Sequence, residues 1–447
     1  MLLVLLIPMV IQQAITSFVN LLDNIMVGRL GTESMSAVAI INQLMFVYNV
    51  TIFGCISGAS IYSAQFFGNK DYKGVRYAFR FKLLLGIIIS TAAIIIFSIF
   101  GDKLIGLYLS EDGTRDLLFT LSEAQSYLKV MIWGLVPFMI SQAYFTTLRE
   151  AGETLIPMLA STLAIFINLT FNYLLIFGKF GFPELGVKGA AIATVLSRFV
   201  EITFTIFMTH KNKEKYAFTK GLYKSLYIPA DIIKKIAITG APLLINEILW
   251  SVGNAGITQN YSVRGLGVMA ALNISSTVSN LFMIVFFAMG GAIAVLIGRE
   301  LGAGNIEGAK DMDRKLVFFN VSTYVVIGAL LATLAPFIPY VYKTEDAVRS
   351  LATQFLFVYA LAMPLFAFNH STYFTMRAGG KTIITFLFDS AFVMVVTYPL
   401  SYMLARHTAL HITLVYLIIQ LSDSIKAVIG AILLKSGIWA KNIIHTE

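Results

Sequence analysis

Apolar residues run along this chain in unbroken stretches of about 20, the length that an α-helix needs to cross a hydrocarbon layer of roughly 30 Å. Twelve such stretches can be read. In the first half they cover residues 1–27, 36–66, 81–100, 124–147, 155–177 and 187–209; in the second, 235–261, 270–298, 316–340, 351–375, 382–404 and 409–434. A barrel strand is about ten residues of alternating polarity, whereas these runs are continuous, so they predict helices that satisfy their own backbone groups. The fold class expected is an all-α integral membrane protein with twelve transmembrane helices in two pseudo-symmetric six-helix bundles.

The two halves follow from a repeat. Residues 8–76 align without a gap on residues 242–310, with 11 of 69 positions identical. The identities fall where they matter for the backbone: Pro8 meets Pro242, Asn20 meets Asn254, Gly31 meets Gly265, Gly68 meets Gly302 and Gly74 meets Gly308. Further on, Pro137, Arg149, Gly152 and Thr154 are echoed by Pro364, Arg377, Gly380 and Thr382. A repeat of half the chain length means two similar lobes rather than a solenoid. The division expected is 1–210 for the first lobe, 211–234 for a basic linker and 235–447 for the second lobe.

Composition agrees with the pattern. The chain is 57% hydrophobic and 13% charged, against roughly 25% charged in a soluble domain, and its mean hydropathy is +0.79. A net charge of +9 raises the question of nucleic acid, which the distribution of the charge answers. With the N-terminus inside, 21 of the 33 Lys and Arg fall in the inner segments 69–82, 149–154, 211–235, 299–315, 377–381 and 435–447, against 9 at the outer side and 3 within spans. This is the positive-inside bias, and it predicts a multi-pass protein of the cytoplasmic membrane with both termini in the cytoplasm. The acidic 101–123 loop, with Glu111, Asp112 and Asp116, suits the outer face. The seven lysines of 211–235 read as a solvated linker along anionic headgroups. The first run has no basic flank and no cleavage site before Asp23, so it reads as a mature helix behind a short or shortened N-terminus. A single cysteine, Cys55, excludes an intramolecular disulfide.

Polar side chains inside spans are costly and mark function. The first span holds Pro8, Gln12, Asn20 and Asp23, and a proline there can kink the helix. The fifth holds Asn168 and Asn172, one turn apart and at the depth of Asp23. These three oxygen-bearing side chains suit either a hard cation such as Na⁺ or a carboxylate that binds a proton in turn; asparagines that glue helices together give the plainer account. The seventh span repeats the first with Asn246, Glu247 and Asn254, but Ile257 replaces Asp23. Glu247 is therefore the acid expected to attract an organic cation or a second proton. His370 lies toward the inner end of the tenth span, where hydration is the simpler reading. Arg198 with Glu201, and Asp423 with Lys426, are i, i+3 neighbours expected to form structural ion pairs. The counterparts of Asn168 and Asn172 are Val396 and Leu400, so the asparagine pair belongs to the first lobe alone. No Walker A loop, Gly-x-Gly-x-x-Gly, His-Glu-x-x-His or nucleophile elbow occurs, so neither an enzyme nor direct ATP coupling is expected.

The run Pro8-x-x-x-Gln12, then Asn20-Leu-Leu-Asp23-Asn-Ile-Met-Val-Gly28-Arg-Leu-Gly31 and Ala64-Gln65-x-x-Gly68, resembles the opening of the multidrug and toxic compound extrusion (MATE) transporters. So do Asn168-x-x-x-Asn172-x-Leu-Leu-Ile-Phe-Gly178 and Gly186-x-x-Gly189-Ala-Ala-Ile-Ala-Thr. The resemblance spans essentially the whole chain. It implies a V-shaped pair of bundles that exports organic cations in exchange for Na⁺ or H⁺, with Asp23, Asn168 and Asn172 as the first-lobe ion site and Glu247 taking part in coupling. Some archaeal relatives have an aspartate where Asn172 stands, and some relatives with a second-lobe Na⁺ site use an acid in span ten, where this chain has Asn369 and His370.

The function expected is a cation-coupled antiporter working by alternating access. Its coupling residues are Asp23, Asn168, Asn172 and Glu247, and Gln12, Asn20, Asn246, Asn254 and His370 face the substrate. No cofactor beyond the coupling ion, no nucleic acid and no obligate protein partner is expected. A flippase for a lipid-linked saccharide is the competing reading, but it would need basic groups for pyrophosphate, and the spans offer only Lys129, Arg198 and Lys426.

Overall fold

Helix boundaries in the computed structural model fall where the repeat puts turn and capping residues. The structure describes residues 2–108, 117–342 and 344–444; Glu111, Asp112 and Asp116 of the acidic loop lie outside them. Helices α1 (Leu2–Gly28), α2 (Thr32–Gly68) and α3 (Tyr72–Gly106) open the chain. Then come α4 (Leu117–Met131), α5 (Leu135–Glu150), α6 (Leu155–Phe177) and α7 (Gly186–Lys211). The second half contains α8 (Ala230–Ser262), α9 (Leu266–Phe282), α10 (Ile284–Gly302), α11 (Ile306–Leu334) and α12 (Asp346–Ala378). It closes with α13 (Thr382–Phe386), α14 (Tyr398–His407) and α15 (Ile412–Ser436). Twelve helical segments are long and apolar enough to span a membrane, and no strand occurs among the described residues.

The repeat is visible in local chemistry. Gly31 and Gly265 take φ of 120° and 111°, backbone that favours glycine. Asp71 caps α3 by accepting from the N–H groups of Lys73 and Gly74, and Asn305, its repeat counterpart, caps α11 by accepting from Gly308. These caps satisfy otherwise orphaned donors at the helix N-terminus.

Two compact units result, one of Leu3–Ser63 with Asp71–Ile236, the other of Ala64–Lys70 with the chain from Ala237 onward. The core of the first joins Val27 of α1, Ile41, Tyr48 and Ile52 of α2, Ile105 of α3, Leu128 of α4, Leu135 of α5 and Ile176 of α6. Tyr48 donates to the Leu135 carbonyl at 2.9 Å and lies 2.7 Å from the Ser90 hydroxyl, so its polar tip is satisfied inside an apolar core. The fourth run, expected to be one helix, contains a 3₁₀ turn at Ile132–Gly134. Pro137 explains it, because a proline cannot serve the carbonyl four residues earlier and its ring crowds it. The Gly134 carbonyl, at the end of this turn, accepts from Arg198 Nη1 at 3.1 Å.

In the second unit Tyr261, Ile274, Phe355, Val415 and Tyr416 form one apolar cluster, and Val278, Tyr324, Leu331, Leu356 and Met363 another. The run expected at 270–298 breaks at Met283 into α9 and α10. That expected at 316–340 is the helix Ile306–Leu334 followed by a 3₁₀ turn at Ile338–Val341 with a proline in its first positions. Between α13 and α14 the chain winds through two wider π turns, Leu387–Ala391 and Val393–Thr397. Ala64–Lys70 explains the Ala64-Gln65-x-x-Gly68 motif. Gln65 donates to the Ala378 carbonyl at 3.1 Å and accepts from the N–H of Ile443 at 2.9 Å. The repeat-related Gly68 and Gly302 permit close backbone contact, since a Cβ on either would overlap backbone of Arg299 or Gln65.

The stretch expected to be a solvated linker is instead folded onto the first unit. Tyr216, Phe218, Leu222 and Ile228 are buried, and Leu222 packs with Phe79 and Tyr144. Tyr144 bonds both His210, at 2.9 Å, and Tyr223, at 2.5 Å. Glu153 receives Lys215 and Tyr216, each at 2.6 Å, and the N–H of Leu155 at 2.9 Å. Burial works against the charge of Glu153, but these donors outweigh it and hold its carboxyl below the usual range.

Candidate functional site

Two polar centres form within helices, one in each unit. In the first, α1 contributes Asp23 and α6 contributes Asn168 and Asn172, which lie one turn apart on the same face. Asn172 Nδ2 donates to Asp23 Oδ1 at 2.6 Å and to Asn168 Oδ1 at 3.1 Å. Asn168 in turn donates to Thr194 of α7 at 3.3 Å. Tyr127 of α4 is close enough to act on Asp23 electrostatically. Both asparagines are buried, and the Asn172 Oδ1 atom is buried with no hydrogen-bond partner. Among the described residues, no Lys or Arg pairs with Asp23. The arrangement thus offers one carboxylate, one unengaged amide oxygen and one nearby hydroxyl, a set of hard oxygen ligands or a carboxylate able to take a proton.

Gln12, expected to face the substrate, is buried in the first unit instead. Its Nε2 donates to Ser161 Oγ and its Oε1 accepts from Arg149 Nη2, both at 2.7 Å. Ser161 donates on to Glu201 at 2.8 Å. Arg149, Gln12, Ser161 and Glu201 thereby form a chain through α5, α1, α6 and α7. The expected pairing of Arg198 with Glu201 gives way to separate partners. Arg198 turns to the Gly134 carbonyl and lies over Phe138 at 5.1 Å, while Arg198 and Glu201 still act on each other electrostatically without a direct ion-pair contact. Asn20 is exposed and outside this chain.

The second unit builds a denser centre around the π turns. Asn246 of α8 donates to Asp389 Oδ2 at 3.1 Å and to Tyr373 Oη at 3.3 Å, and accepts from the N–H of Ser390 at 3.2 Å. Tyr373 also reaches Glu247 Oε1 at 3.4 Å. Lys426 makes its direct ion pair with Asp389, at 3.2 Å across helices, while Asp423, one turn before it in α15, acts on it electrostatically. The π turn carries Asp389, and Asn369 donates to the Asp423 backbone carbonyl at 2.9 Å. Arg377 acts electrostatically on Glu247, as does Asp389. His370, expected to be hydrated, stacks on Phe286 with ring centroids 3.6 Å apart, and its Nδ1 is buried without a partner. Asn254 donates to the Trp250 carbonyl of its own helix. It lines a cavity of about 420 Å³ with Trp250, Tyr261, Asn273, Asp423 and Lys426.

The comparisons with known proteins agree with this architecture. A family model described as MatE matches residues 8–174 and 242–403. The chain belongs to the MatE family. A probable multidrug resistance protein NorM of Thermotoga maritima is 25% identical over 446 residues, covering 98% of this chain and 93% of that protein. The probable multidrug resistance protein YoeA of Bacillus subtilis is 26% identical over 418 residues, covering 91% and 87%. Among solved structures, an outward-facing multidrug resistance MATE family transporter of the MOP superfamily superposes with a TM-score of 0.86 at 20% identity, covering 98% of this chain and 96% of that one. This last likeness is one of fold.

In this MatE chain the helix pattern brings Asp23, Asn168 and Asn172 together, and Asn246 with Glu247. Asn254 shares a cavity with Lys426 of the second centre, and His370 lies within electrostatic reach of Arg377 and Lys426; Asn20 joins neither centre. The residues that sequence reading missed are Tyr373, Arg377 and Asp389 as members of the second centre, and the pair of Lys82 with Glu150. Lys82 lies 2.8 Å from Glu150, with side chains 0% and 3% exposed, and also donates to Thr146 and Thr147. Its signal was a lysine just ahead of an apolar run, read as the end of a loop.

Proposed function

We propose that this MatE protein is a secondary antiporter of the cytoplasmic membrane, with both termini in the cytoplasm, that exports organic cations in exchange for Na⁺ or H⁺. The observation that carries the reading is Asp23: a carboxylate inside a spanning helix, held by an amide at 2.6 Å and paired with no Lys or Arg among the described residues. An acid placed in a membrane without a resident counter-charge calls for a mobile one. The names of the relatives support drug efflux, and the loop charges support the orientation.

In this mechanism Asn172 favours the ionised form of Asp23 by donating to it. A proton or Na⁺ arriving at Asp23 competes with that donor and frees Asn172, which passes the change to Asn168 and Thr194. In α1, Pro8 supplies no N–H to the backbone ladder, which gives this helix a point at which it can bend. Coupling follows if the ion-loaded and drug-loaded forms favour opposite sides of the membrane, a difference in affinity between two states that alternating access converts into export.

Buried cations in the first unit are committed to protein acceptors, Lys82 to Glu150, Arg149 to Gln12 and Arg198 to Gly134. That counts against a pyrophosphate-binding flippase. The deciding experiment is ethidium efflux from reconstituted vesicles under a Na⁺ gradient or a pH gradient imposed separately, beside Asp23→Asn. Efflux driven by one gradient and absent in the variant is expected; gradient-driven efflux that survives the substitution undamaged rules this mechanism out.

A further inference from the structure

One strongly charged cavity is unused by the transport mechanism. It measures about 440 Å³ and is lined by Lys73, Arg76, Tyr77 and Arg80 of α3 with Lys220, Gly221 and Lys224 of the segment before α8. The α3 residues recur at spacings of three and four, so they share one face of the helix. Five cationic side chains therefore converge on one space. Arg80 fixes the arrangement. It is 6% exposed and donates to the carbonyls of Gly221 at 3.1 Å, Leu222 at 3.0 Å and Tyr227 at 3.0 Å, which clamps the segment against α3. Gly221, at φ 78°, makes the turn that brings Lys220 and Lys224 to the same space.

Among the described residues, the one acidic partner of these five cations is Glu214, 3.4 Å from Lys220, and its side chain is 97% exposed. Among the described residues no acid pairs with Lys73, Arg76 or Lys224. The repeat provides a contrast on the same helix face. The counterparts of Lys73, Arg76, Tyr77 and Arg80 are Glu307, Lys310, Asp311 and Arg314. There Lys310 pairs with Glu307 at 2.8 Å and Asp311 with Lys315 at 2.5 Å. One face neutralises itself and the other does not, so helix-surface chemistry alone does not explain the basic one.

We infer that this pocket binds the phosphate of an anionic phospholipid headgroup. Arginine and lysine suit phosphate oxygens through charge-assisted hydrogen bonds, and basic pockets at the ends of spanning helices take lipid phosphates. Lipid rather than free phosphate is favoured by what surrounds the cations. Leu226 and Tyr227 of the same segment are 60% and 67% exposed, and Tyr72 beside Lys73 is exposed as well. Aromatic and apolar side chains gather at headgroup level. The bound lipid would fasten residues 220–227 to α3.

The test is native mass spectrometry of the detergent-solubilised full chain, offered phosphatidylglycerol, phosphatidylcholine and inorganic phosphate in turn. The wild type retains phosphatidylglycerol selectively. Each basic residue near an anionic surface contributes a factor of about five, so the double variant Arg76→Gln/Lys224→Gln binds it about 25-fold more weakly. The control Lys310→Gln/Arg314→Gln, on the repeat-related face, binds as the wild type does. Lys224 is exposed and Arg76 half-buried, and Lys73→Gln/Lys220→Gln serves as a second pair that leaves the Arg80 clamp intact. Equal retention of the two lipids, undiminished binding by both pocket variants, or saturation by inorganic phosphate without lipid retention would each overturn the inference.

Discussion

Helices α1 and α8 are repeats of each other, yet the two units satisfy the carboxylates around them by opposite means. In the first, Asp23 accepts from the Asn172 amide, and the buried cations Lys82, Arg149 and Arg198 are engaged elsewhere. In the second, where Ile257 stands at the position of Asp23, Glu247 and Asp389 share a centre with Arg377 and Lys426. A centre that holds cations of its own needs no visiting ion to be neutral. One that holds only neutral dipoles does. A shared helical frame leaves the placement of counter-charge free, and under the proposed mechanism the unit lacking one is where the exchangeable ion binds.

The sharpest way to break this contrast is Asp23→Asn, which removes the uncompensated charge but keeps a hydrogen-bonding side chain. Gradient-driven ethidium efflux should fall to that of empty vesicles, while a thermal melt shows the fold retained. Next in size is Lys426→Met, which strands Asp389 in the second unit. Breaking a buried pair costs about 3–5 kcal/mol, read as a lowered melting midpoint, and Asp389→Asn added to it should recover most of the loss. Recovery would establish that the second centre balances itself; a double variant as unstable as the single would refute that.

Asn172→Ala sharpens the first unit, since it deletes the donor to Asp23 while sparing the charge. A hydrogen bond to a charged group contributes about 1.5–3 kcal/mol, so the apparent affinity for the coupling ion should shift by tenfold or more in transport assays, with the variant still folded. An unchanged ion dependence would show that Asn172 is only a helix-packing residue.

The smallest effect is expected at Glu153, outside the spans. Its depressed folded pKa gives stability that is present at neutral pH and lost as pH falls through the folded value. Glu153→Gln should therefore cost about 1 kcal/mol at pH 7, discounted because Lys215 is largely exposed. It should also flatten the acid limb of the melting curve. Hydrogen exchange at 215–219 would report the loosened segment.

Much of the fold is legible in the sequence. Continuous apolar runs predicted the spans because a membrane leaves the backbone no other partner than itself, and the aligned Gly31 with Gly265 and Asp71 with Asn305 return as matched turns and caps. Runs judged by hydropathy came out short at charged ends: α3 begins at Tyr72, not 81, because Lys73, Arg76 and Arg80 continue the helix past its apolar part. Asp23, Asn168 and Asn172 could be grouped from depth and period alone, since each follows from helix geometry.

What the sequence by itself determined is the set of things that depend on neighbours along the chain: the spans, the repeat, the caps, the asparagine pair one turn apart. Only the tertiary structure decided which groups from different helices meet. Arg198 and Glu201 stand three residues apart, yet one turns to the Gly134 carbonyl and the other to Ser161. Lys426 passes over Asp423 for Asp389, Gln12 turns inward to Arg149, and a lysine-rich segment that reads as solvated docks on α3 through Arg80. The physical reason is common to all of them. A buried charge or amide takes the acceptor whose position is fixed by packing, and periodicity along one helix carries no record of what the next helix presents to it.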